Sequence, residues 1–190
     1  MTTGIEQKRR IKKRLQEERG NAFAQGGAPV ALLYPSPYRA GMSSVGFQWV
    51  IKILREAGFQ VERAFLPDDA YQWRKSRFPL CTYETERPVA HFPVIGVSLA
   101  YELELPGLIE ALELAGIPPL RKDRNERHPR IILGGPLTFS NPLPAAPFVD
   151  AMLLGEAEDV LVPAFDAVSY THLRAHETPE HMLCRHLLEK

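Results

Sequence analysis

The strongest constraint on the fold of this chain is an alternation of two hydrophobic periodicities between residues 28 and 167. Short runs that are apolar at nearly every position, Val30–Tyr34 (VALLY), Val94–Leu99 (VIGVSL), Arg130–Leu133 (RIIL) and Ala151–Leu154, alternate with stretches whose apolar residues recur every three or four positions. A strand that is apolar on both faces belongs in a parallel sheet covered by helices on both sides. The first run ends at Pro35 and Pro37. Ser43 or Ser44 then caps a helix to Ala57, with Phe47, Val50, Ile51 and Leu54 on its buried face and Gly58 as its left-handed stop. Phe59–Phe65 reads as a second strand. Residues 66–91, with three prolines, predict an excursion containing at most one short helix. Glu102–Ala115 predicts a helix with Leu105, Leu108, Ile109 and Leu112 inward and Gly116 as its stop, and Glu156–Ala167 a last helix behind Gly155. Right-handed crossovers then lead to an α/β fold with a doubly wound parallel five-stranded sheet. The flavodoxin-like order 2-1-3-4-5 is preferred over a Rossmann half.

Composition narrows the class. Hydrophobic residues at 45% and charged residues at 24% support a packed globular core and exclude wholesale disorder. The longest uncharged apolar runs, such as Phe92–Tyr101, fall well short of the ~20 residues of a membrane span, and the basic start leads into no apolar signal core. Two cysteines, Cys81 and Cys184, suit a reducing cytoplasm rather than a disulfide framework. The net charge of zero hides a basic leader, residues 1–27, whose Lys8–Arg19 segment reads KRRIKKRLQEER. Such a helix either lies on RNA or another anionic surface, or is a solvated or packed leader. The lack of interleaved aromatic residues favours the second reading.

In a sheet of this type, ligands bind beyond the carboxyl ends of the strands. Those ends are Pro35–Ser44, Ser98–Glu102, Gly134–Asn141 and Gly155–Asp159. Gly41 and Gly134-Gly135 would let a backbone approach a ligand closely, and free amides near Ser43 and Ser44 would receive an anion. No GxGxxG follows the first strand and there is no P-loop, which argues against dinucleotides and nucleoside triphosphates. Asp68-Asp69 reads as a solvated turn, Glu156 as a carboxylate favoured by a helix dipole, and His91 as packed beside Phe92. No nucleophile and base are brought together by spacing.

Several phrases in order carry a more specific signal. They are Tyr34–Gln48 (YPSPYRAGMSSVGFQ), Glu62–Pro67 (ERAFLP), Pro93–Glu104 (PVIGVSLAYELE), Leu114–Pro118 (LAGIP), Gly134-Gly135-Pro136, Asn141-Pro142 and Gly155–Glu158 (GEAE). Together they resemble the N-terminal, cobalamin-binding-like domain that precedes the iron–sulfur barrel of a radical SAM protein. In cobalamin-binding members a DxHxxG loop follows the first strand and its His coordinates cobalt. The matching stretch here is Ser36–Gly41, with Ser36 in place of Asp, Tyr38 in place of His, and Gly41 kept. The other two signatures match Ser98-Leu99 and Gly134-Gly135, and the rim continues to Gly155 and Glu156. A phenol is a poor substitute for imidazole as a cobalt ligand. The resemblance therefore leaves two outcomes: a corrinoid held without a His ligand, or a domain that kept the shape and lost the cofactor. It also implies a [4Fe–4S] cluster and S-adenosylmethionine in a C-terminal barrel, the expected partner of this module. That cluster needs a CxxxCxxC loop, which these 190 residues do not contain. The module is thus expected to have no catalysis of its own.

Two other classes compete with this reading. One is a stand-alone interaction or RNA-docking module using the basic leader, and the other a flavodoxin-like enzyme, whose Ser/Thr-rich phosphate cradle is missing from the first loop. From Ser169 the character changes. Ser169–Thr178 (SYTHLRAHET) and the following PEHMLCRHLLEK resemble a translated sequencing adapter, so residues 168–190 are expected to be a non-native or disordered tail. An ordinary helical tail, or a zinc set from His172, His176, Cys184 and His186, are the alternatives.

Overall fold

The structure, a computed structural model, describes residues 4–20 and 26–174, with side chains as far as Val168. Five strands form one sheet: β1 (Pro29–Tyr34), β2 (Gln60–Phe65), β3 (Val94–Ser98), β4 (Arg130–Gly134) and β5 (Ala151–Met152). Their order is β2-β1-β3-β4-β5 and every pairing is parallel. This is the expected α/β topology, with its switch point between β1 and β3. β5 is shorter than the apolar run Ala151–Leu154. Leu153 still donates to the Leu133 carbonyl at 2.8 Å, but the chain then turns at Gly155, whose φ of 138° suits glycine.

Among the described residues seven helices cover the sheet: α1 (Gly4–Glu17), α2 (Tyr38–Ser43), α3 (Val45–Glu56), α4 (Ala70–Ser76), α5 (Leu105–Leu114), α6 (Leu137–Ser140) and α7 (Ala157–Arg174). α3 packs with α7 and α4 with α5, as right-handed crossovers require when the winding reverses at β1. Ser44 caps α3 by accepting from the Phe47 amide, and Phe47, Ile51 and Leu54 are buried while Val50 is half-buried. α2 is one extra turn the sequence does not announce. α5 starts three residues later than expected, behind a 3₁₀ turn at Glu102–Glu104. That shift leaves Leu105 and Ile109 half-buried and turns Glu104 inward. His91 is exposed rather than packed, because its 3₁₀ turn gives the inward positions to Val89 and Phe92. α7 continues through Ser169–Arg174, past the expected stop at Ala167; His176, His181, Cys184 and His186 lie outside the described residues. Among the described residues no helix is long and apolar enough to cross a membrane.

Residues 80–88 cover the open edge of β2. Tyr83 donates its amide to the Arg63 carbonyl at 2.8 Å, and Cys81 and Pro88 form an antiparallel bridge. This covering is what allows β2 to carry two buried charged residues. Glu62 accepts from Thr82 and Thr85 hydroxyls, both at 2.6 Å, and from Gln60 at 3.0 Å. Arg63, 2% exposed, binds Glu84 through Nε at 2.6 Å, while its two terminal nitrogens each meet a Glu18 oxygen at 2.9 Å. Glu84 also accepts from the Arg63 amide and from Arg55.

Glu18 follows α1, so the basic leader is fastened to its own domain. Ile11 and Gln7 are buried in the contact, Arg14 reaches Tyr83 at 2.7 Å and also Asp68, and Lys8 and Lys12 pair with Glu86. Replacing Glu84 with alanine removes the central carboxylate and leaves Arg63 buried beside Arg55. The expected cost is about 3–5 kcal/mol, read as a lower urea midpoint with the basic α1 becoming accessible to trypsin. A loss below about 1 kcal/mol would show that the cluster does not hold this edge.

Candidate functional site

The carboxyl ends of the strands hold the rim loops, and three arrangements occupy them. The first closes the crevice at the switch point. Glu104 is 4% exposed and bridges two loops, accepting from the Ala100 amide at 2.7 Å and the Ser36 hydroxyl at 3.2 Å. Burial first, and then the neighbouring Glu104 carboxylate, raise the Tyr34 phenol above its ordinary value. Glu104 is the rim residue that sequence reasoning missed. The only signal was its place one residue before the inward-facing Leu105 in the predicted helix, where a carboxylate reads as solvated.

The second arrangement seals the first loop. Tyr38 stacks on Tyr83 at 5.1 Å with nearly parallel rings and meets Phe65 edge-on at 5.3 Å. The Arg14 guanidinium lies 5.0 Å from the Tyr38 ring centre, and the Tyr38 hydroxyl donates to Glu18 at 2.7 Å. Burial, then the Glu18 carboxylate, hold this phenol strongly protonated. Gly41 is buried, and a Cβ there would lie 2.5 Å from the Phe65 ring. Gly41 is therefore required by helix-to-aromatic packing.

The third is a slot between the sheet and α7. Ser98, Gly134, Gly135 and Gly155 line it with Gly96 and Phe165. A Cβ on Gly96 would lie 2.8 Å from the Phe165 ring, which enters from α7, itself fully buried. The slot holds about 50 Å³, whereas an apolar cavity of ~150 Å³ is the size that admits benzene. Leu99 is buried beside it and locks the β3 and β4 ends by backbone alone: its amide donates to Gly134 at 3.0 Å and its carbonyl accepts from Leu137 at 3.1 Å. Gly135 has φ 105°, and a Cβ there would come within 2.6 Å of that Leu99 carbonyl. Glu156 is exposed, and its carbonyl begins α7 by accepting from Asp159 and Val160.

The structure thus brings Ser98, Leu99, Gly134, Gly135 and Gly155 together, places Ser36 in the adjacent crevice with Glu104, and puts Tyr38 and Gly41 in the aromatic seal on the β2 side. A corrinoid needs a ligand or open face at the first loop and space for a nucleotide tail. Tyr38 is engaged, Glu104 fills the crevice and Phe165 fills the slot, so these residues as arranged do not fit that group.

Exposed apolar side chains also gather around this rim, among exposed charged residues such as Arg39, Glu102 and Glu156. Of the nine large hydrophobic side chains exposed among the described residues, all but Ile5 lie in segments that follow strand carboxyl ends: Val45, Trp49, Tyr71, Tyr101, Leu103, Phe139, Leu143 and Leu154. Trp49 donates to Glu158, joining α3 to the start of α7.

Two outcomes test this geometry. Gly135→Ala is expected to cost about 1–3 kcal/mol through strain at a left-handed φ. Gly134→Ala, with open space around it, should stay within about 0.5 kcal/mol, and equal losses at the two positions would contradict the backbone lock. The second concerns pH. Burial raises the Tyr34, Tyr38 and Tyr83 phenols and pushes the Cys81 thiol up to about 11. The folded chain holds these protons more tightly than the unfolded one, so their contribution is intact below about pH 8.5 and is lost as pH rises through the tyrosine range. The urea midpoint should be level near neutrality and fall steadily towards pH 11; a flat profile would refute the burial of these groups.

A family model described as radical SAM proteins, N-terminal, matches residues 46–187. The match begins after the Ser36–Gly41 loop and runs through the segment from Ser169 that resembles an adapter. No curated protein matches the chain.

Proposed function

Since the chain belongs to the radical SAM proteins as an N-terminal region of that family, we propose that it works as a cofactor-free docking module whose apolar carboxyl rim receives the radical SAM barrel. The concentration of exposed apolar side chains at this one end of the sheet carries the reading. Large exposed apolar patches are uncommon on a free surface and mark contact with a partner. A barrel domain that must exclude water from a radical intermediate is suited to such a cover. The cluster and S-adenosylmethionine belong to the barrel in this reading, because the present sequence has no CxxxCxxC.

The shape of a cobalamin-binding domain is kept while the ligand-side positions serve the protein itself. Tyr38 stands where the family resemblance places a cobalt ligand, and its hydroxyl is donated to Glu18. The slot between the sheet and α7 is filled by Phe165. The rim glycines then act in backbone packing. Three of the leader's seven Lys/Arg, Lys8, Lys12 and Arg14, are paired with acidic residues of the same domain, which supports a packed leader over an RNA-docking one.

Two measurements test the proposal. After incubation with hydroxocobalamin and desalting, the protein should show no corrinoid absorption; stoichiometric retention would overturn the cofactor-free part. A separately expressed radical SAM barrel of this family should bind the chain in calorimetry, and Leu103→Asp with Leu143→Asp should weaken that binding at least tenfold. Undiminished binding by the double variant would rule out the rim as the docking face.

A further inference from the structure

The amino ends of β4 and β5, at the opposite end of the sheet from the rim, gather a surplus of guanidinium charge. Three arginines converge on one carboxylate: Arg124 reaches Asp150 Oδ2 at 3.1 Å, while Arg121 and Arg130 each come to 3.6 Å from Oδ1. The Ile131 amide also donates to Oδ2 at 2.8 Å. With Glu126 also on its wall, the cleft that these residues line sets two carboxylates against three guanidinium groups. Among the other charged residues in residues 121–130, Lys122 and Arg127 outnumber Asp123.

The three arginines are not equivalent. Arg124 is a structural clamp, its side chain 4% exposed, donating to the Pro119 and Phe148 carbonyls as well as Asp150. Its Nε is buried without a hydrogen-bond partner. Burial lowers its pKa, Asp150 opposes that shift, and Arg121 and Arg130 add to it. Arg121 and Arg130 are half-exposed, and 3.6 Å exceeds a good N–H···O bond, so Asp150 holds them as ion pairs without filling their planar forks. They border this cleft of about 240 Å³, which His128 and Glu126 also line. His128 Nδ1 accepts the Asn125 amide at 3.1 Å, which puts the proton of the neutral ring on Nε2, as a donor. A concave site with excess charge concentrates anions, and guanidinium forks match the oxygens of a phosphate.

We propose that this cleft is a phosphate-group site in which Arg121 and Arg130 bind the anion and Arg124 with Asp150 positions them. The phosphate group belongs either to a small molecule or to a nucleic-acid backbone. The site is independent of the rim and of the docking function assigned to it.

The test titrates the whole chain with inorganic phosphate, with adenosine monophosphate and with a ten-nucleotide RNA, at fixed ionic strength set by potassium chloride. Binding is followed by calorimetry. Saturable binding is expected in at least one arm, weakened at least tenfold in Arg121→Gln/Arg130→Gln. Arg121→Lys/Arg130→Lys, which keeps charge without the fork, should fall between them. A small-molecule source gives binding in the first two arms that RNA does not exceed. A backbone source gives much tighter RNA binding with the same dependence on the two arginines. The Gln variant is expected to keep the wild-type urea midpoint, both side chains being half-exposed. Should it be less stable, the Lys variant alone decides, and wild-type affinity in that variant overturns the fork-mediated site. No saturable binding in any arm, or equal binding by wild type and the Gln variant, also overturns the proposal.

Discussion

The structure depends on one buried guanidinium. Arg63 lies in the edge strand of the sheet, where a charge has no solvent, and it is tolerated because Glu84 and Glu18 meet all three of its nitrogens. A buried ion pair adds little stability beyond an apolar equivalent, but a half-removed one is expensive. The arrangement therefore acts as a specificity device. Only a chain that brings residue 84 along the β2 edge and residue 18 across its end can bury Arg63. Meeting both conditions closes an edge that would otherwise offer free amides to another strand, and it anchors the basic helix α1.

Anchoring α1 has a consequence at the first loop. Glu18 accepts from both Arg63 and Tyr38, so the carboxylate that neutralises the buried arginine also fixes the phenol in the loop after β1. Arg14 on α1 then lies over the Tyr38 ring and reaches Tyr83. A domain of this shape with a free first loop would have an open face there. In this chain the face is an aromatic stack covered by a cationic helix. The phenol of the first loop and the packed basic leader are parts of one packing solution.

Much of this was legible in the sequence, for identifiable reasons. Runs such as Val30–Tyr34 admit few readings besides a doubly covered parallel strand, and the right-handed crossover rule then left one topology. Gly58 and Gly116 stop their helices with positive φ, at 90° and 74°, as their positions implied. What could not be read was every feature set by a partner distant in sequence. Glu104 looks like a solvated helix residue until Ser36 and the Ala100 amide are placed beside it. Arg63 shares the inward face of its strand with Phe59, Val61 and Phe65, and the sequence shows nothing to neutralise a charge there until residues 84 and 18 are placed beside it. The leader looked separable because its charges appeared unpaired, and their partners Asp68 and Glu86 lie more than 50 residues away. The glycines of the rim were correctly located but their use was not: Gly135 is demanded by the Leu99 carbonyl, a backbone contact that has no side-chain signature.

A parallel sheet also separates chemistry by direction, since every strand leaves on one side and enters on the other. Here the exit side gathers exposed apolar side chains and the entry side of β4 and β5 is cationic. The two are not mechanically remote. Asp150 binds the Ile131 amide and so sets where β5 begins against β4, while at the other end of the same two strands Leu153 donates to Leu133 and the Gly134 carbonyl holds Leu99. An anion that drew Arg121 and Arg130 away from Asp150 would leave Arg124 and Ile131 as its remaining partners, strengthening the hold on the start of β5. β4 joins the two ends directly, running from Arg130 in the cationic cluster to Gly134 at the rim, with the short β5 beside it.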